Sequence, residues 1–172
     1  MVLLLALLAA APDPLVSMVQ TRDEIQGVTW FRDRAQARSN AADSLSCSFA
    51  RFSSGYGPLR LTISHAGKRS IDPEIATLAM DGASFVLTEA RRGLRGCSWR
   101  REKAKSGVSE TCEVEISTEH PDLLAALLSA KAVKVRLQGD RVHDFQVPKS
   151  QLDAIRRVHA AWEAASRSAA GH

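Results

Sequence analysis

VKVRLQGDRVHDFQV, residues 133 to 147, sets two runs of alternating apolar and polar side chains on either side of a glycine. The length of the turn decides how the runs meet. A two-residue Gly139-Asp140 loop places Lys134 opposite Phe145 and wastes both side chains. A three-residue loop, Gly139 to Arg141, aligns Val133 with Val147, Val135 with Phe145 and Leu137 with His143, and it sets Arg136 across from Asp144 on the wet side. The longer loop is the expected one, and the stretch reads as a half-buried antiparallel hairpin.

The same logic works outward along the chain. Asp81-Gly82 is a two-residue hairpin turn in which both positions require positive φ. It brings Leu78 opposite Phe85 and Ala76 opposite Leu87, all apolar and all on one face. Leu45 to Phe52 alternates Leu45, Cys47 and Phe49 against Ser46, Ser48 and Ala50. Leu59 to His65 repeats the pattern, with Arg60, Thr62 and Ser64 on the polar side. Upstream, Gly27 to Phe31 is expected to be the first strand with Trp30 as its core anchor, and the polar residues 14 to 26 are expected to hold a short helix.

Two helices complete the pattern. One is expected near 120 to 131, with Pro121 in its first turn and leucines at helical spacing. The other follows Pro148, with Ser150 as its expected N-cap and a stripe of Leu152, Ile155, Val158 and Trp162. Arg156, Arg157 and Glu163 occupy its other side. The fold class is therefore α+β, a mainly antiparallel sheet or flattened sandwich of seven to nine strands on which a C-terminal amphipathic helix packs.

A chain of 172 residues fits one domain with a core of its own. Residues 1 to 11 read as a signal peptide, an apolar run ending in small residues and too short to span a bilayer. Residues 12 to 44 read as an N-terminal segment with the first strand, loose from 32 to 44. Residues 45 to 166 form the β-rich domain, and 167 to 172 a tail. Export accords with three cysteines, Cys47, Cys97 and Cys112, which suit one disulfide and one spare thiol. Three pairings are open; Cys97 with Cys112, flanking a hairpin, is the expected one and closes a loop worth about 3 kcal/mol.

Charge is concentrated in RRGLRGCSWRREKAK, residues 91 to 105, which holds seven of the 23 Lys and Arg and a single acid, Glu102. The whole chain carries only +4, so the remainder is net acidic. That distribution argues against a protein that coats nucleic acid along a face or groove. Arg91, Arg92, Arg95, Arg100, Arg101, Lys103 and Lys105 are the candidate contacts for an anionic partner, guanidinium groups being suited to bidentate capture of phosphate or carboxylate. With Trp99 as the sole interleaved aromatic, single-strand stacking is disfavoured.

Catalytic and metal signatures are absent from the sequence. His65, His120, His143, His159 and His172 are scattered singly, with no CxxC or HExxH spacing, and no metal or cofactor is expected. SSGYG, from Ser53, lacks the nucleophile elbow, and His143 and Asp144 point to opposite faces of their strand. Cys47 lies on an apolar face and reads as inert core. Glu113 and Glu115 share a strand face and are expected to balance the basic strand beside them.

LRLTISHAG, followed by AKAVKVRLQGDRVHDFQVPKSQLDAIRRVHAAW, resembles small exported bacterial proteins of unknown function, in which a strand, a glycine turn and a strand lead into a C-terminal helix. The likeness covers residues 45 to 165 in order of elements, and specific letters at the hairpin and last helix. A looser likeness is to the invasion-associated locus B proteins, secreted β-rich envelope proteins with a similar ending. Both resemblances imply fold and compartment, and neither supplies a catalytic motif. The expected function is a non-enzymatic, periplasmic or secreted interaction module whose basic stretch meets an anionic envelope component or an acidic protein. The alternatives are a small hydrolase with a site assembled from distant residues, and a structural subunit of an envelope assembly.

Overall fold

The computed structural model describes residues 14–38, 41–89, 96–104 and 107–170. The expected signal peptide lies outside them. A 3-10 turn, Pro14–Ser17, leads into β1 (Met18–Asp23), β2 (Val28–Asp33), a single-turn α1 (Arg34–Ala37), β3 (Asp43–Phe52), β4 (Gly55–Tyr56) and β5 (Arg60–Gly67). There follow β6 (Ile75–Met80), β7 (Ala83–Thr88), β8 (Ser98–Ala104), β9 (Gly107–Glu115), α2 (Ile116–Glu119) and α3 (Pro121–Ser129). The chain then forms β10 (Val133–Gln138), β11 (Val142–Gln146) and α4 (Lys149–Ala170).

The strands make two antiparallel sheets. A seven-stranded sheet runs β1-β2-β3-β5-β9-β8, with β4 added to β3, and a four-stranded sheet runs β11-β10-β6-β7. Both hairpins take the registers expected from their turns. Val135 faces Phe145, Leu137 faces His143 and Arg136 faces Asp144, and the Gly139 N–H closes the three-residue loop on the Arg141 carbonyl at 3.0 Å. Leu78 faces Phe85 across the other hairpin, where Asp81 and Gly82 take φ of 45° and 88°. Gly139 has a second constraint: a side chain there would run into the backbone of Asp72 in the segment that carries the chain from one sheet to the other.

Alternation sends Phe31, Leu45, Cys47, Phe49, Leu61 and Ile63 inward from the large sheet, and Ala76, Leu78, Val133, Val135 and Leu137 inward from the small one. These join Leu123 and Leu127 of α3 and Leu152, Ile155 and Val158 of α4 in one buried cluster. α4 lies chiefly on β3. Its polar side is put to use as well. Arg156 donates to the carbonyls of Leu128 and Ala130 where α3 ends, which satisfies C-terminal groups that the helix cannot.

Several sequence expectations need correction. Phe31, and not Trp30, is the core residue of β2; Trp30 faces outward, with the Arg60 guanidinium 5.1 Å from its ring centre. Of residues 14 to 26, expected to hold a short helix, only Pro14–Ser17 is helical; Met18–Asp23 form β1, which pairs with β2 along its whole length, so the strand expected from Gly27 to Phe31 is the second and not the first. Eleven strands are present among the described residues, more than the seven to nine expected. α4 begins at Lys149, so Ser150 sits inside its first turn instead of capping it, and Asp153 pairs with Arg156.

Part of the segment expected to be loose is tied down by Asp33. Its carboxylate accepts hydrogen bonds from the backbone N–H groups of Ala35 and Gln36 and from Arg157 of α4 at 2.9 Å. Burial pushes its pKa up, but these donors outweigh burial and hold it below its ordinary 3.8. A depressed folded-state pKa gives stability that is complete above the unfolded value and is lost as pH falls through the folded one. Thermal unfolding followed from pH 6 down to about pH 2 is therefore expected to show a falling midpoint below about pH 4, with a shallower fall in Asp33→Asn. Equal slopes for the two proteins would remove Asp33 from the acid response.

Candidate functional site

The alternation that builds the core leaves the outer face of the large sheet polar, and strand order decides what stands side by side there. β9 comes to lie between β5 and β8, so Ser46, Thr62, Glu113 and Ser98 form one row across four strands. Ser44, Ser64, Thr111 and Arg100 form the next. Arg32 and Ser48, paired across β2 and β3, extend the surface towards Gln36 and Gln151.

This face is a groove. One hollow of about 320 Å³ is floored by the β3, β5 and β9 hydroxyls and rimmed by Arg32, and a second of about 330 Å³ runs on to Ser98 and Arg100. The two share Thr111 and Glu113. Among the described residues Arg32 and Arg100 have no carboxylate partner, whereas Arg60 on the same face is paired with Glu115 at 3.3 Å. Glu115 is thus balanced by β5 and not by the basic strand, and Glu113 stands opposite Ser98.

The basic stretch divides across its strand. Arg100 points to the groove. Arg101 turns to the other side, where its Nε donates to Glu110 at 3.2 Å and its guanidinium pairs with Asp72. Lys103 is exposed at the far end of the hairpin. Arg91, Arg92, Arg95 and Lys105 lie outside the described residues. Glu89 and Cys97, at either end of the segment that carries those first arginines, are bridged backbone to backbone. Cys97 is bonded to Cys112, as expected. Cys47 is buried, and burial pushes its thiol far above the ordinary range, so it is no nucleophile.

A second constellation went unread in the sequence. Asp43 on β3, His65 on β5 and His143 on β11 meet where the two sheets close on each other. His65 Nδ1 lies 2.6 Å from Asp43 Oδ1, and His143 Nε2 lies 3.0 Å from Asp43 Oδ2. The two imidazole rings are 4.4 Å apart between centres. Parity already put both histidines on apolar faces, since His65 follows Leu61 and Ile63 and His143 pairs with Leu137. Their meeting depends on contact between sheets, which no local pattern encodes.

In the strand ladder Asp43 is opposite His65, His65 opposite Glu110, and Glu110 opposite Arg101. Acid and base thus alternate along one row on the inner side of the large sheet. Exposed large apolar side chains are dispersed: Val86 and Val142 sit on opposite edge strands of the small sheet, and Val16, Ile25 and Phe52 elsewhere. No helix among the described residues is long and apolar enough to cross a membrane. No family model, curated protein or solved structure matches the chain.

Proposed function

We propose that the chain is an exported, non-enzymatic binding module of the bacterial cell envelope, periplasmic or secreted, and that the outer groove of its large sheet takes an acidic polysaccharide. The observation that carries this reading is the pair of guanidinium groups, Arg32 and Arg100, that have no carboxylate partner among the described residues and stand at the two ends of one hydroxyl-floored groove. They stand four strand spacings apart across the sheet and four residues apart along the strands, about 23 Å on the diagonal, a span that an extended polymer covers with several sugar units, its acid groups reaching both ends. Between them the hydroxyls of Ser46, Thr62 and Thr111 and the carboxylate of Glu113 match sugar hydroxyls as donors and acceptors.

The disulfide supports an oxidising compartment. The apolar opening run and the likeness to exported envelope proteins point the same way. Arg100 joins this groove to the basic stretch 91 to 105, whose remaining cations add long-range attraction for a polyanion. Neither hollow has an imidazole in its lining, which favours binding over acid–base chemistry.

The test is a titration of the full chain with alginate, a polyuronate, at low salt. Each charged hydrogen bond is worth about 1.5–3 kcal/mol, so Arg32→Glu/Arg100→Glu is expected to weaken binding by at least ~10-fold, while neutral dextran fails to bind. Wild-type affinity in the double variant, or equal affinity for dextran, would overturn the proposal.

A further inference from the structure

Asp43, His65 and His143 offer one carboxylate oxygen and two imidazole nitrogens, all within 4.8 Å of one another. We infer that these three residues bind a single divalent transition-metal ion of the zinc class, and that the ion ties the large sheet to the small one.

The donor set is the first argument. Two imidazoles and a carboxylate suit borderline ions such as Zn2+, which takes three protein ligands with a fourth position left to solvent when a site is open. Geometry is the second. Bonds of about 2.0–2.2 Å in a tetrahedral arrangement hold neighbouring donor atoms about 3.3–3.6 Å apart. The observed separations of 2.6 Å and 3.0 Å between the carboxylate and the imidazole nitrogens are hydrogen-bond lengths that fall short of that range by less than about 1 Å. Both nitrogens turn towards the same carboxylate, so an ion entering there needs only a small outward movement of the rings.

Accessibility is the third. His65 is 8% exposed and fixed in place, its Nε2 so close to Gly67 that a Cβ on that residue would stand 2.8 Å away. Asp43 and His143 are only partly buried, so the opposite side of the cluster is open to water and supplies an entry path. Glu110, the next acid along the row, is committed to Ser70, Ile71, Asp72 and Arg101, which leaves three protein ligands and not four. The site faces the interior between the sheets, away from the polysaccharide groove, and it stands or falls separately from that reading.

The experiment uses the full, tag-free chain stripped with chelator and titrated with Zn2+ by calorimetry and with Co2+ by visible absorption. One ion is expected to bind per chain with a dissociation constant of micromolar order or tighter. At a free-ion concentration about 100 times that constant, the thermal midpoint is expected to rise by about 5 °C or more, because the ion binds only the folded chain. His143→Ala, which alters a partly exposed position, and Asp43→Asn are each expected to weaken binding by at least ~10-fold, the scale of losing a contact in a metal site. His159→Ala, whose ring lies beside Glu163 on α4, is expected to leave binding unchanged. Absence of one-to-one binding by the wild-type chain would overturn the site, whatever the variants do. So would unchanged affinity in a folded His143→Ala.

Discussion

Replacing Glu110 with alanine is expected to lower the stability of the chain by about 4 kcal/mol, because it removes several hydrogen bonds to a buried carboxylate, each worth about 1.5–3 kcal/mol. Glu110 is 1% exposed, and its carboxylate gathers four donors. The Ile71 and Asp72 N–H groups donate at 3.0 and 2.9 Å, and the Ser70 hydroxyl and Arg101 Nε complete the set. Alanine leaves the buried Ile71 N–H without an acceptor, at a cost of about 1–3 kcal/mol for that group alone. It also frees the 68–74 crossover, the segment on which Gly139 packs and through which β5 reaches β6.

For a chain of this size the loss amounts to about 10 °C in the thermal midpoint. Glu110→Gln keeps the shape and one acceptor oxygen, and is expected to lose less. Arg101→Ala, which removes a third-exposed partner, is expected to cost about 1 kcal/mol. Denaturant unfolding of the three variants gives the order. A loss below 1 kcal/mol in Glu110→Ala would mean that water replaces the carboxylate and that the crossover is held by other contacts.

That crossover also marks the limit of what local pattern could reveal. Turn chemistry and parity were sufficient for β6–β7 and β10–β11, because Asp81-Gly82 and Gly139 fix register within a few residues. Parity failed at β2, where adjacent Trp30 and Phe31 make either face plausible and the buried polar Asp33 hides which one is inward. β1 carried no alternation because it is an edge strand with Gln20, Thr21 and Arg22 all largely in water.

The candidate sites were legible as faces and not as places. Ser46 and Thr62 were each readable as outward, but the groove exists only because β9 inserts beside β5 while β6 and β7 leave for the second sheet. His143 and Asp43 are 100 residues apart in sequence, and only the packing of one sheet on the other joins them. The basic stretch, conspicuous in composition, gives its two central arginines, Arg100 and Arg101, to opposite faces of one strand.

Removing the Cys97–Cys112 bond is expected to cost about 3 kcal/mol, the closure entropy of a 15-residue loop, or again about 10 °C. The β8–β9 hairpin that it spans is already paired from Ser98 with Glu113 to Ala104 with Gly107. The bond therefore acts at the open end of that hairpin. There Cys97 N–H donates to the Thr88 carbonyl at 2.8 Å, the point at which β7, an edge strand of the small sheet, hands over to the large one. Once the bond is cut, the hairpin keeps its ladder but the junction and the bridged ends of the arginine-bearing segment lose their anchor.

Urea unfolding with and without reductant gives the measurement, and Cys97→Ala/Cys112→Ala is the control that reductant should not move. Thiol counting in denaturant gives the chemistry independently, with one alkylated cysteine, Cys47, before reduction and three after. A wild-type chain whose midpoint ignores reductant, or which alkylates three times before reduction, does not carry the bond in solution. The compartment argument would fall with it, because a protein that keeps 3 kcal/mol in this bridge holds that stability only where thiols are oxidised.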